Sequence, residues 1–220
     1  MIKWWKILSA LIILYTLVWG FLNPVPRLDI LNETIRNVYY HVPIWFAMMF
    51  QMGISVVFAI KQLSKNDLTL DLKSHQAAQV GFFLSIPGLL TGSFWAKYTW
   101  GTWWTLDPKL NGVAIAILIY LAYFILRSSI DDELKRARIA SVYNIFAFVM
   151  MFVFIMILPR LTDSLHPGNG GNPAFGKYDL DNNMRLVFYP AVIGWILFSF
   201  WILDVKTRLA LLTKIKNDEE

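Results

Sequence analysis

Two histidines and a cluster of tryptophans are the residues of this chain whose types and spacing suit chemistry. His41 lies in Tyr39-Tyr40-His41-Val42-Pro43, and His166 lies in Ser164-Leu165-His166-Pro167-Gly168. Between them comes Trp100-Gly101-Thr102-Trp103-Trp104-Thr105-Leu106-Asp107-Pro108-Lys109. Imidazole ligates metals and moves protons near neutral pH. Indole offers a large flat apolar surface with one polar edge. Asp107 before Pro108 has the residue types of a helix start, with Asp as N-cap and Pro at the first helical position. A third histidine, His75, stands beside Lys73 and Ser74.

The rest of the sequence says where these groups sit. The chain has 220 residues, of which 57% are hydrophobic and only 16% charged. Soluble domains carry about 25% charged residues. The apolar residues here come in long runs, and about 20 of them cross the hydrocarbon layer as a helix. Six spans are predicted, over Trp4–Leu22, Val38–Ile60, Gln76–Ala96, Leu110–Leu126, Ile139–Leu158 and Leu186–Leu203. The chain is thus expected to be all-α, one six-helix transmembrane domain over residues 1–220, with no internal repeat. The first span follows Lys3 and Lys6 and precedes Asn23-Pro24 rather than a small-residue cleavage pattern, so it reads as a retained anchor.

Basic residues orient the spans. One set of loops and ends holds 13 Lys and Arg and the other holds 7. The richer side is read as cytoplasmic, which puts both termini there. Segments 23–37, 97–109 and 159–185 then face outward, and His41, the tryptophans and His166 share that face. Beyond Lys6 the predicted spans hold no Asp, Glu, Lys or Arg. Pumps and coupled transporters place ionisable groups at membrane depth, so the chemistry is expected at a surface. The net charge of +5 is spread over short loops and marks no nucleic-acid partner.

Each residue also has a plain structural reading. His75 reads as a solvated interfacial residue. His41 alone could simply hydrogen-bond at the interface, and His166 alone could be a loop residue in water. Trp4, Trp5, Trp19 and Trp195 fit an interfacial aromatic belt, but a belt requires no packed cluster around Gly101. Asp107 could serve only as a cap, and Lys109 as a snorkelling anchor or a partner for a ligand carboxylate. Taken together on one face, two imidazoles and several indoles suit a planar, apolar, metal-bearing ligand. Haem has that chemistry, with axial His ligands and apolar walls. A zinc site would require three or four ligands. With no cysteine in the chain, thiolate sites and thioether attachment of haem are excluded.

The segment Trp100–Asp107, with His41-Val42-Pro43 and Leu165-His166-Pro167-Gly168, resembles the haem-handling superfamily of cytochrome c biogenesis. Six spans and this length are most similar to its smallest branch, haem exporter protein C, the cytochrome c maturation protein C. Two positions depart from that pattern. Leu106 stands where the family usually has Trp, and Lys109 where the branch usually has Arg. Asp107-Pro108-Lys109 looks more like the cytochrome c synthase branch.

The resemblance implies b-type, non-covalent haem held with bis-His axial ligation by His41 and His166. Trp100, Gly101, Trp103, Trp104 and Asp107 would line it, at the outer face of a multi-pass cell inner membrane protein. It implies membrane lipid, a periplasmic haem chaperone and ABC-type transporter subunits of the maturation complex as partners. No enzyme activity is expected, since the chain offers no paired nucleophile and base. The glycine-rich surroundings of His166 favour it over His41 as the ligand displaced on transfer. The rival expectation is a permease or a structural docking subunit that uses the tryptophan-rich loop as a protein interface.

Overall fold

The computed structural model describes residues 3–167, 175 and 180–219. Its helices are α1 (Trp4–Leu22), α2 (Val38–Lys65), α3 (Leu68–Trp100), α4 (Pro108–Ser128), α5 (Glu133–Phe152), the short α6 (Leu158–Leu161) and α7 (Asn182–Glu219). A 3₁₀ segment, Asn32–Asn37, leads into α2, and a π-helical turn, Val153–Ile157, joins α5 to α6. Counting α5 through α6 as one rod, six helices are long and apolar enough to cross a membrane. Among the described residues there is no strand.

The helices run past the predicted spans because their polar ends stay helical once they pack on neighbours. Asp67 caps α3 by accepting from the Thr69 N–H, and Asp132 caps α5 by accepting from the Lys135 N–H. Pro43 sits inside α2 rather than in its first turn, because the 3₁₀ segment already starts the helix upstream. Pro159 falls at the start of α6, directly after the π turn. A proline cannot donate to the helical ladder, and a π turn is one way to absorb that loss.

Successive spans are antiparallel, and side-chain bonds fix their ends. At the lysine-rich end, Lys6 of α1 pairs with Asp204 of α7 at 2.7 Å, and Arg127 of α4 forms a two-pronged pair with Asp71 of α3. Both ion pairs lie in helical stretches that the sequence reading assigned to span ends or loops. About a turn further in from that end, Asn144 of α5 donates to the Ser55 and Ser74 hydroxyls, while Ser55 and Ser74 bond each other's backbone carbonyls across α2 and α3. Between apolar helices in lipid, close packing and interhelical hydrogen bonds supply the association, each such bond worth about 0.6 kcal/mol. The opposite end is tied by Arg36, which donates to the Gly20 and Asn23 carbonyls, and by Asn23, which donates to the Asn183 carbonyl.

Candidate haem site

The site end collects the start of α2, the end of α3, the start of α4 and the chain after α6. Asp107 organises it. Its side chain is fully buried. As the N-cap of α4, its Oδ1 accepts from the Lys109 and Leu110 N–H groups, as the Asp-Pro pair predicts. The same carboxylate reaches 57 to 59 residues along the chain. Oδ2 accepts from the Ser164 hydroxyl at 2.8 Å and the Leu165 N–H at 2.7 Å, and Oδ1 lies 2.9 Å from His166 Nδ1. A buried carboxylate is costly unless its lone pairs are met, and here five donors meet them. Burial alone would raise its pKa, but the bonds from His166, Ser164 and Leu165 outweigh that and hold the carboxyl well below the usual range.

His166 is therefore tethered, not free in a loop. Its side chain is 22% exposed. Burial pushes its pKa down, the Asp107 carboxylate pulls it back up, and Lys109 adds to the downward push, leaving it below the ordinary value. A ring kept neutral at physiological pH is the form that ligates metals. Because a carboxylate can only accept, His166 carries its proton on Nδ1 and presents the Nε2 lone pair. Trp100 packs edge-to-face on this ring with centroids 4.9 Å apart. The glycine run that follows, from Gly168, lies outside the described residues.

His41 is held by α3. Its Nδ1 lies 3.0 Å from the Thr91 hydroxyl. One turn of α3 must come very close, and Gly92 permits it: a Cβ there would lie 2.7 Å from His41 Cε1. Trp45 and Trp95 stand edge-on to the imidazole at 6.2 and 6.0 Å. Trp95 is itself anchored by its indole N–H donating to Thr34 Oγ1. His166 and Lys109 both lie within electrostatic reach of the His41 ring. His41 and His166 thus lie at the same end of the bundle.

The tryptophan segment divides. Gly101 ends α3 with φ of +79°, a left-handed conformation that favours glycine at a helix C-terminus. Trp100 turns inward to His166. Trp103 and Trp104 are 56% and 40% exposed at the rim, beside Leu106 at 90%. Trp103 leans on Phe94, and the Trp104 indole N–H donates to Asn111 Oδ1. Leu106, where the family pattern has Trp, thus points away from the packed interior.

His75 departs from its expectation of full solvation. It is half-buried, with its ring against Tyr123 and Phe124 and its Nε2 3.0 Å from the Gln79 amide. It lies on α3 near the lysine-rich end, away from the other two histidines.

The sequence reading missed Trp45, Thr91, Gly92, Trp95 and Ser164. Two of the signals were present. His41 and Trp45 are four residues apart on one helix face, and Gly88, Thr91, Gly92 and Trp95 form a single stripe of α3 at helical spacing. The partnership of Ser164 with Asp107 has no such local signature.

Among the described residues, no group of three or more His, Cys, Asp or Glu is placed to hold a metal ion. Two imidazoles suit a metal that brings its remaining ligands with it, as a porphyrin iron does.

Comparison with known proteins identifies the family. The family model for heme exporter protein C matches residues 1–220. The heme exporter protein C of Paracoccus denitrificans is 27% identical over 199 residues, covering 87% of this chain and 78% of the relative. That of Escherichia coli (strain K12) is 25% identical over 219 residues, covering 98% of this chain and 86% of the relative. That of Rhodobacter capsulatus is 28% identical over 180 residues, covering 77% of this chain and 69% of the relative. With the chain matched from end to end, this multi-pass membrane protein belongs to the heme exporter protein C family.

Proposed function

We propose that the chain holds haem at the outer face of the cell inner membrane and presents it for transfer during cytochrome c maturation. Membership in the heme exporter protein C family supports haem handling in that pathway. The observation that carries the finer reading is the meeting of His41 and His166 at one end of the bundle, with Trp100 against one ring and Trp45 and Trp95 flanking the other. The ligand is b-type haem, bound without covalent attachment, with both imidazoles axial to the iron. Trp100, Trp103 and Trp104 provide flat apolar area, Gly101 shapes their turn, and Asp107 orients His166. The acceptor is a periplasmic haem chaperone, with ABC-type transporter subunits of the maturation complex assisting its release. The chain binds and hands over its cargo and carries out no covalent step itself.

The absorbance spectrum of the purified protein tests this. His41→Ala and His166→Ala each lose or shift the Soret band, while His75→Ala leaves it unchanged. Equal loss in all three variants overturns the assignment of ligands. The outward placement follows from the 13 to 7 distribution of basic residues. Reporter fusions at Lys135 and Asp163 should report opposite sides, with Lys135 cytoplasmic. An external Lys135 overturns it.

A second reading has its own support. Trp103, Trp104 and Leu106 form an exposed apolar rim, and such patches mark protein interfaces. On the haem reading, Trp103→Ala lowers haem content. On the docking reading, it leaves haem content intact and abolishes partner recovery.

A further inference from the structure

We propose that Thr91 is the positioning residue for His41, holding its imidazole in the form protonated on Nδ1 so that Nε2 presents its lone pair to iron. The inference rests on the reading of His41 as a haem ligand, and its geometry stands independently of that reading.

The Thr91 hydroxyl has three oxygen or nitrogen neighbours. Oγ1 is 2.7 Å from the Pro87 carbonyl, 3.1 Å from the Gly88 carbonyl and 3.0 Å from His41 Nδ1. A hydroxyl has one proton to give and two lone pairs to receive with. Both carbonyls can only accept, so the proton goes back to the preceding turn of α3, as threonine hydroxyls in helices commonly do. Toward His41 the same oxygen is then an acceptor, and Nδ1 must carry the hydrogen. Nε2 is left without one.

The support under this hydroxyl is rigid. The Asn37 side chain donates to the Thr91 carbonyl at 3.2 Å, tying this turn of α3 to the 3₁₀ segment before α2. Gly92 lets the His41 ring settle against the helix. Metal-bound histidines generally donate their second N–H to an oxygen acceptor, which fixes the tautomer and the ring orientation. Asp107 does this for His166, and for His41 the Thr91 hydroxyl supplies the matching oxygen, with the Gly88 carbonyl also facing the ring.

The test uses the full-length protein in lipid nanodiscs, free of haem, with nitrogen-labelled histidine. The His41 signals are those missing from His41→Gln. In the native protein they should report hydrogen on Nδ1. Thr91→Val keeps the shape of the side chain and removes the oxygen, and should shift His41 toward the Nε2–H form. Thr91→Ser, which keeps the hydroxyl, should restore the native pattern. Titration with haem should show affinity reduced about tenfold in Thr91→Val and retained in Thr91→Ser. An unchanged His41 pattern in Thr91→Val overturns the proposal, and so does Thr91→Ser behaving as Thr91→Val. If the tautomer follows Thr91 but the native protein takes up no haem, the haem reading fails while the action of Thr91 on His41 stands.

Discussion

Removing the Asp107 carboxylate should loosen two distant stretches of chain at once. In Asp107→Ala the α4 N-terminus loses its cap, which costs about 0.5–2 kcal/mol. Three further donors, from Ser164, Leu165 and His166, lose a charged acceptor. Hydrogen bonds to charged groups contribute about 1.5–3 kcal/mol each, but these share one carboxylate and are not additive. A combined local loss of about 2–4 kcal/mol is expected, which is roughly a 30- to 1,000-fold rise in amide exchange. Hydrogen exchange by mass spectrometry should show it in peptides covering 107–111 and 162–167, with peptides around Asn144, toward the lysine-rich end, unaffected. Asp107→Asn separates charge from shape. Its carbonyl can keep the cap at the Oδ1 position, but its amide then faces the Leu165 N–H, so the cap should survive while the 162–167 stretch loosens. Native exchange at 162–167 in Asp107→Ala would refute the view that this carboxylate tethers His166.

Gly92→Ala gains about 1 kcal/mol of helix propensity, which is offset by crowding against the His41 ring. The new Cβ would lie 2.7 Å from His41 Cε1, so haem affinity should fall about tenfold, as for loss of an orienting partner; full affinity would show that His41 has room to retreat. The pH dependence has a definite sign. His166 has a native pKa below its ordinary 6.5, so the unfolded chain takes up that proton first, and the fold weakens as pH falls below about 6.5 and not above it. The Asp107 carboxyl, held below its ordinary 3.8, adds stability that is complete above that value and is lost as pH falls through the native value. Haem retention, followed by the Soret band, should be flat from about pH 8 to 6.5 and decline below; a rise on acidification would contradict the placement of His166.

The six spans were legible because a helix in lipid must be apolar for about 20 residues, and composition records that directly. Their true ends were not. Leu68–Ser74 and the stretch after Asp204 are helical because Asp71 pairs with Arg127 and Asp204 pairs with Lys6 and Arg208. The pairs with Arg127 and Lys6 join residues far apart in sequence, and an apolar window passes over them. The start of α4 was legible because capping is local, and Asp-Pro states it within two residues. The second role of Asp107 was hidden, since its partners lie 57 to 59 residues away. Trp45 and Trp95 left only a helical-spacing signal, and it was ambiguous for another reason. Inside an apolar span a tryptophan beside a histidine has the same composition as one in a belt, and only the facing of α2 and α3 distinguishes them.

The site is built as two bodies. His41 rides on α2 and α3, the most extensively packed helix pair of the bundle. His166 rides on the chain after α6, stapled by Asp107 to α4. Trp100, at the last turn of α3, touches the His166 ring, and residues 101–107 connect the two bodies covalently. This arrangement bears on which ligand yields when haem is passed on. The glycine run beside His166 suggests that His166 lets go. Yet its Nδ1–H faces a carboxylate, whereas the His41 ring faces only neutral oxygens, the Thr91 hydroxyl and the Gly88 carbonyl. Charge-assisted hydrogen bonds are roughly twice as strong as neutral ones, and an acceptor that pulls harder on the N–H makes Nε2 the more basic donor to iron. If both rings bind iron as proposed, the acceptors favour His166 as the firmer ligand, whereas the glycines favour its release; haem-transfer rates in Asp107→Asn and Thr91→Val would choose between the two.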